Sequence, residues 1–359
     1  MKNLFNSSFN GCKVLVTGHT GFKGSWLALW LKQLGADVFG LALPPNTEPN
    51  HWDLLNLEIE DYCIDIRDYL EVKKIIAQIE PNIIFHIAAQ PLVRFSYIDP
   101  LTTWSTNVQG TAHVLEACRS ITSVRAIVAV TTDKCYENRE WLWGYRENDR
   151  LGGHDPYSAS KAGAELVANS YRKSYFNSES SLRLATARAG NVIGGGDWSE
   201  DRLIPDLVRA SARGESVEIR SPNATRPWQH VLESLSGYLL LGQRLLEQEP
   251  GFDEAWNFGP DESGNQPVSA VLSKLSQSWG ELRWHLTGAP HPHEASLLQL
   301  DSTKARTLLQ WLPVWGLDEG LRQTANWYRA FGEKGEVISR QQLADYVAAA
   351  RAKNLGWAG

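Results

Sequence analysis

Short apolar runs and longer amphipathic stretches alternate along the first half of the chain. Lys13 to Thr17, Asp37 to Leu43, Tyr62 to Asp65, Asn82 to Ile87, Val124 to Val130 and Leu182 to Arg188 read as buried strands. Between them, Ser25 to Leu34, Asp68 to Ile79, Thr102 to Cys118 and Ala159 to Tyr175 carry helical periodicity. Strands that alternate with helices predict parallel crossovers and a doubly wound sheet. Such crossovers are right-handed, and ligands sit at the carboxyl ends of the strands. After Arg188 the pattern changes. "AGNVIGGGD", Ala189 to Asp197, is glycine-rich and irregular, mixed short elements follow, and Val231 to Leu246, Ser302 to Leu309 and Leu317 to Phe331 read as helices. The fold class expected is α/β, a Rossmann-type doubly wound parallel sheet with a smaller mixed α/β substrate-binding lobe. The sheet domain is expected over 1–188 and about 229–258, the lobe over 189–228 and about 259–359. Neither a repeat nor a low-complexity linker separates them.

A length of 359 residues suits this two-part organisation. With 43% hydrophobic and 21% charged residues, the chain has the composition of a packed globular protein. Its net charge of −6, from 35 Lys+Arg against 41 Asp+Glu, argues against a nucleic-acid or membrane-surface partner. No apolar stretch has the length of a membrane span, and the start lacks the apolar region of a secretory signal. Cys12, Cys63, Cys118 and Cys135 form no Cys-x-x-Cys pair and read as reduced thiols of a cytoplasmic protein. His291, His293 and Glu294 lack further ligands at fixed spacing, so no metal is expected. The fifteen tryptophans imply large apolar contacts, with Trp198 and Trp228 placed to pack near a flat ligand.

Three motifs carry candidate chemistry. "VTGHTGFKGSW" follows the first strand and opens the first helix. Gly18 allows the tight turn, Gly21 lets backbone approach a pyrophosphate, and Gly24 lets helix pack on strand. The helix N-terminus presents free N–H groups to the phosphates, with Lys23 and His19 as further contacts. The second strand ends "LALPP", without the acid that would hold ribose hydroxyls and without an arginine for a 2′-phosphate. Asp65, followed by Ile66, offers a carboxylate to the adenine amino group, and NAD is the cofactor expected. "PYSASKAG" sets Tyr157 and Lys161 four residues apart, on one helix face. A phenol titrates near ~10, and a neighbouring ammonium is expected to lower it until Tyr157 takes a proton from a sugar hydroxyl. "VTTDKCYEN" ends the fifth strand with Asp133 beside Lys134. Were the strand to continue, these two side chains would point to opposite faces.

The stretches "GHTGFKGSWL", "HIAAQPLVR", "TTDKCYEN", "YSASK", "RAGNVIGGGDW", "RLIPD" and "RPWQHV" resemble the extended short-chain dehydrogenase/reductase superfamily over nearly the whole chain. Within it they are most similar to the nucleotide-sugar 4,6-dehydratases, on the CDP-glucose branch. The resemblance implies NAD-dependent oxidation at C4 of CDP-glucose, loss of water across C5 and C6, and hydride return to C6. It implies that Thr132 binds the hydroxyl being oxidised and that Asp133 protonates the leaving C6 oxygen. Related dehydratases carry glutamate next, and the departure to Lys134 leaves two roles open there, a neutral C5 base or a charge that stabilises the enolate. The resemblance also implies that Phe22, Ala88, Ala89 and Gln90 line the cofactor. On the substrate side it implies Arg94, Asn191, Arg202, Leu203 and Arg226. It implies a homodimer formed through Thr102 to Cys118 and Ala159 to Tyr175. A nucleotide-sugar 4-epimerase shares the glycine loop and Tyr157 with Lys161 but needs no acid beside Thr132. A dehydratase of another nucleotide sugar, dTDP- or UDP-linked, is a second alternative. A non-catalytic cofactor-binding regulator is disfavoured, because both Tyr157 and Lys161 are present.

Overall fold

The computed structural model describes residues 1–177, 179–279, 282–286 and 295–359. The His291 to Glu294 cluster lies outside the described residues. Seven parallel strands form the central sheet: β1 (Lys13–Thr17), β2 (Asp37–Ala42), β3 (Glu60–Cys63), β4 (Ile83–His86), β5 (Ala126–Val130), β6 (Arg183–Ala189) and, beyond three short strands, β10 (Ala255–Phe258). The three are β7 (Asn191–Ile193), β8 (Val217–Ile219) and β9 (Thr225–His230). The sheet order is β10-β6-β5-β4-β1-β2-β3, and the chain reverses direction across the sheet between β1 and β4. Two small sheets stand apart. One joins β7, β9 and β11 (Asn265–Pro267), and the other joins β8 and β12 (Trp284–Leu286).

Strand alternation sorts the side chains into two cores. Val14 and Val16 of β1, with Ala126, Val128 and Val130 of β5, pack on one face with helices Phe22–Leu34 and Val231–Leu246. Leu15, Ile127 and Ala129 pack on the other, with helices Tyr69–Ile79 and Gly110–Cys118. This double burial explains the continuous apolar runs in the sequence. Many of the tryptophans serve such contacts. Trp26, Trp30, Trp256, Trp311 and Trp327 are fully buried. Helix Ser339–Ala352, which has no counterpart among the expected elements, packs on Phe22–Leu34 through Tyr346 and Trp30, 5.7 Å apart edge to face.

Several boundaries differ from the expected ones for local reasons. The helix carrying Tyr157 spans Pro156–Ser174, not Ala159 to Tyr175. Asp155 caps it by accepting from the Ser158 N–H at 2.9 Å, and Pro156 occupies the first turn, where no N–H is needed. The long helix expected over Thr102 to Cys118 is three joined pieces: Pro100–Trp104, a π-helical turn Ser105–Gln109, and Gly110–Cys118. The third strand lies at Glu60–Cys63, two residues before the expected Tyr62 to Asp65. No described helix is long and apolar enough to cross a membrane.

Glu233, fully buried in helix Val231–Leu246, ties the sheet layer to the C-terminal segments. It accepts from the N–H groups of Val314 (2.9 Å) and Trp315 (2.7 Å) and from the Tyr346 hydroxyl (2.9 Å). Burial outweighs these donors and pushes its carboxyl up from 4.5 to about 7. The folded chain thus holds a proton that the unfolded chain releases, so this site's contribution to stability is lost as pH rises from about 4.5 to about 7. Glu233→Gln places an amide nitrogen against N–H donors. It is expected to cost about 1–3 kcal/mol in urea unfolding and to remove that part of the pH slope.

Candidate active site

The glycine loop and the loop after β4 meet where the sheet order reverses. Gly18 has φ +76°, and a Cβ there would lie 2.7 Å from the Ala88 nitrogen. A Cβ on Gly24 would lie 2.1 Å from the Gly18 oxygen, so the helix starts directly against the turn. Gly21 N–H donates to Gly18 O at 3.1 Å, and Gly21 precedes the helix as a cap without a side chain. Above these loops opens a cleft of 2210 Å³. A site for one ligand usually takes about 300–1,000 Å³, so this cleft has room for two.

Gly18, Gly21, Phe22, Lys23, Gly24, Asp65, Ile66, Ala88, Ala89 and Gln90 all line the cleft. Gln90 and Asp65 among them are already engaged. The Gln90 amide donates to Thr103 Oγ1 (2.8 Å) and Leu92 O (3.1 Å), so it shapes the loop. Asp65 holds Arg67 through both carboxylate oxygens. That pairing occupies the Arg67 guanidinium, which also lines the cleft, and the residues lining the end of β2, Leu43, Pro44, Pro45 and Asn46, carry no charge. His19 is the exception among the expected residues. It does not line the cleft; its ring is buried against Gly40 and Trp52, with Nε2 3.4 Å from Asp61. A crowded turn after β1 leaves that side chain only the space beneath the loop.

Thr132, Asp133, Lys134, Tyr157 and Lys161 converge on the same cleft from β5 and the Pro156–Ser174 helix. Residues Asp133–Cys135 form a 3₁₀ turn capped by Thr132. The strand has therefore ended, and Asp133 and Lys134 both face the cleft instead of opposite sides. Asp133 is 1% exposed. Its Oδ1 accepts from Thr132 Oγ1 at 3.0 Å, while the buried Oδ2 has no protein partner. Burial raises the Asp133 pKa despite the opposing charges of Lys134, Arg226 and Lys23. At Asp133 desolvation outweighs the neighbouring ammonium of Lys134.

Tyr157 departs from expectation. Burial pushes its phenol up to about 12, opposed by a hydrogen bond with Thr132 and by the Arg202 charge. Lys161 shares the helix face but donates to Val130 O at 3.3 Å, and burial brings its ammonium down to about 8. In the chain alone, the lysine does not draw the phenol down. Lys23 adds another cation at the same centre. Its Nζ lies 3.4 Å from the Tyr238 hydroxyl, and burial followed by the charges of Arg202 and Lys161 lowers it to about 7.

The other side of the cleft carries Asn191 on β7, Arg202 and Leu203 at the start of helix Leu203–Arg213, and Arg226 on β9. Arg202 donates to Asp197 at 2.8 Å, and Arg226 to Thr225 O at 2.9 Å. Arg94 reaches across the mouth to Asp201 at 2.5 Å. Trp198 and Trp228 both line the cleft. Sequence reasoning missed Asn107, which sits in the π-helical turn. It accepts from Gln90 N at 2.8 Å and donates to Ser160 at 2.8 Å, joining the cofactor loop to the Tyr157 helix. It also missed Arg209, Arg220 and Tyr328, which line the lobe side. Among the described residues, no group of three or more His, Cys, Asp or Glu is placed to hold a metal.

A glycine cradle at the point where the strand order reverses, facing a buried tyrosine and lysine, defines a dinucleotide-dependent redox site. Comparison with known proteins agrees. The profile of the NAD dependent epimerase/dehydratase family matches residues 14–259, and the chain belongs to that family. It is 49% identical over 350 residues to the CDP-glucose 4,6-dehydratase of Salmonella typhimurium, covering 95% of this chain and 98% of that one. Among solved structures it resembles a double mutant of DesIV, a dTDP-glucose 4,6-dehydratase from Streptomyces venezuelae with NAD and DAU bound. The TM-score is 0.73 at 25% identity, over 88% of this chain and 96% of that one. The Thermus thermophilus UDP-glucose 4-epimerase complex with NAD shares the fold, with TM-score 0.76 at 24% identity over 88% and 99%. NAD is the family's cofactor, and the cradle at Gly18 and Gly24, closed to any Cβ, fits it.

The glycines separate cofactor binding from folding. At Gly21 the nearest atom to an added Cβ is Gly18 O at 3.4 Å, an ordinary contact. Gly21→Ala is expected to keep the unfolding temperature and weaken NAD binding about tenfold or more, about 1.4 kcal/mol, read by calorimetric titration. Gly24→Ala, with its 2.1 Å clash, is expected to lower both.

Proposed function

We propose that this chain is a CDP-glucose 4,6-dehydratase, a hydro-lyase that yields CDP-4-keto-6-deoxy-D-glucose. The observation that carries this reading is the buried Asp133, its pKa raised by desolvation and one oxygen unpartnered, beside Thr132 and Tyr157. An epimerase needs no acid there. The 49% identity to the Salmonella CDP-glucose 4,6-dehydratase supports the base and sugar.

Gly18, Gly21 and Gly24, with Phe22, Ala88, Ala89 and Ile66, hold the cofactor. NAD held there would supply a cationic nicotinamide ring and the chemistry of taking up and returning one hydride, so no external reductant would be consumed. Positive charge added near Tyr157 would lower its phenol from about 12. Tyr157 takes the proton of the C4 hydroxyl, and Thr132 orients that hydroxyl. Lys161 retains an ammonium at neutral pH and supplies charge beneath the site. The C4 ketone makes the C5 hydrogen acidic. Asp133 gives its proton to the C6 oxygen as water leaves. Lys134, on the same turn, acts at C5, either as the base or as the charge that holds the enolate. Arg226 grips the diphosphate, where a guanidinium fork suits phosphate oxygens, and Arg202, with its segment, lines the nucleotide base pocket. Asn191, Leu203 and Arg94 complete the substrate side.

The enzyme works in the cytoplasm as a homodimer, and its product feeds the deoxysugars of surface polysaccharide such as the lipopolysaccharide O-antigen. The scattered free cysteines support the compartment. The dimer is supported by exposed Ile98, Leu101, Trp104 and Leu166, a run of apolar side chains on Val93–Ile98, Pro100–Trp104 and the Tyr157 helix.

Asp133→Asn keeps the shape and removes the acid. With CDP-glucose and NAD, the wild-type chain is expected to release a product one water lighter by mass spectrometry. The variant is expected to bind both ligands yet lose water at least about 100-fold more slowly. Normal turnover in Asp133→Asn would remove the acid role.

A further inference from the structure

The turn that carries Thr132, Asp133 and Lys134 sits on a buried ion pair outside the cleft's reacting groups. Glu165 lies one turn beyond Lys161 on the Pro156–Ser174 helix, on the face that also holds Tyr157. Arg188 comes from β6. Both side chains are 3% exposed. Arg188 grips Glu165 with a two-pronged fork, Nε to Oε1 at 2.9 Å and Nη2 to Oε2 at 2.7 Å.

Each member of the pair also holds one flank of the turn. Glu165 accepts from the Thr131 hydroxyl, just before the turn, and from Thr186 at 2.8 Å. Arg188 uses its remaining nitrogen, Nη1, to donate to the Tyr136 hydroxyl at 2.7 Å, just after the turn, and to Glu147 O at 3.0 Å. Tyr136 passes the contact on to Asn257 of β10 at 2.7 Å. The residues between, Thr132 to Cys135, are thereby pinned at both ends to the helix that carries Tyr157 and Lys161.

We infer that Glu165 and Arg188, acting through Thr131 and Tyr136, are positioning residues that fix Asp133 against Tyr157. A buried charge pair is costly to desolvate and gives little net stability for that cost. Its four-way bonding here does something a hydrophobic pair could not, which is to orient two hydroxyls on either side of one catalytic turn. Arginine is required because only its fork reaches Glu165 and Tyr136 together. The inference rests on the dehydratase reading, in which Asp133 is the acid.

Removing Glu165 or Arg188 strands a buried charge and endangers the fold, so the test acts on the flanks. Tyr136→Phe and Thr131→Val each remove one hydroxyl from the clamp. In each folded variant, kcat for water loss from CDP-glucose is expected to fall about 10- to 100-fold, with KM held near the wild-type value. Placed in the Asp133→Asn background, either change is expected to cost nothing further, because the group it positions is gone. A full cost in that background, or a wild-type kcat in the single variants, overturns the clamp. Should Tyr136→Phe fail to fold, Thr131→Val gives the same reading from the other flank. Failure of the wild-type chain to release water from CDP-glucose counts against the dehydratase reading instead, so the two failures are distinct.

Discussion

The contact that everything else depends on is steric. Gly18 must stand where a Cβ would lie 2.7 Å from the backbone of Ala88, and the Gly24 helix must start against the Gly18 carbonyl. Only with both glycines can the loops after β1 and β4 close on each other at the point where the strand order reverses. That closure leaves helix N–H groups free and opens the cleft above them. The next strand outward, β5, ends in the turn with Thr132, Asp133 and Lys134, and the following helix brings Tyr157 and Lys161 to the same space. Cofactor cradle and acid are neighbours because consecutive parallel strands end side by side.

Desolvation then decides the charge states. At Asp133, Tyr157, Lys161 and Lys23, burial outweighs the neighbouring charges. It lifts Asp133 and brings Tyr157 to about 12, Lys161 to about 8 and Lys23 to about 7. Burial thus shifts Asp133 toward its protonated form and keeps the phenol protonated. The first state suits loss of water. The second fits a phenol that becomes a base only when further positive charge enters the cleft.

Much of this is legible in the sequence, for physical reasons. Helix Val231–Leu246 can be read to the residue from its apolar run, and the structure adds His230 as its cap. Strands buried on both faces announce themselves as apolar runs. The glycine loop fixes its own geometry through sterics. What the sequence does not disclose depends on space or on long-range partners. The crowding that turns His19 away from the cleft appears only when Gly40 and Trp52 are beside it. The sequence leaves open whether Asp133 and Lys134 point apart as on a strand, and the cap by Thr132 makes them a 3₁₀ turn facing one cleft. The lysine expected to tune Tyr157 donates to Val130 O instead. Glu165 and Arg188 are 23 residues apart in sequence, and neither is distinguished by any local motif. The start of the Tyr157 helix is set by Asp155 and Pro156, a capping signal that apolar periodicity alone does not register.

The most direct measurement is turnover with a panel of CDP-glucose, dTDP-glucose, UDP-glucose and GDP-mannose, each with NAD, followed by mass spectrometry. Loss of one water from CDP-glucose, and from no other sugar of the panel, is the predicted result. Conversion without a change of mass would mean epimerisation and would contradict the role given to Asp133.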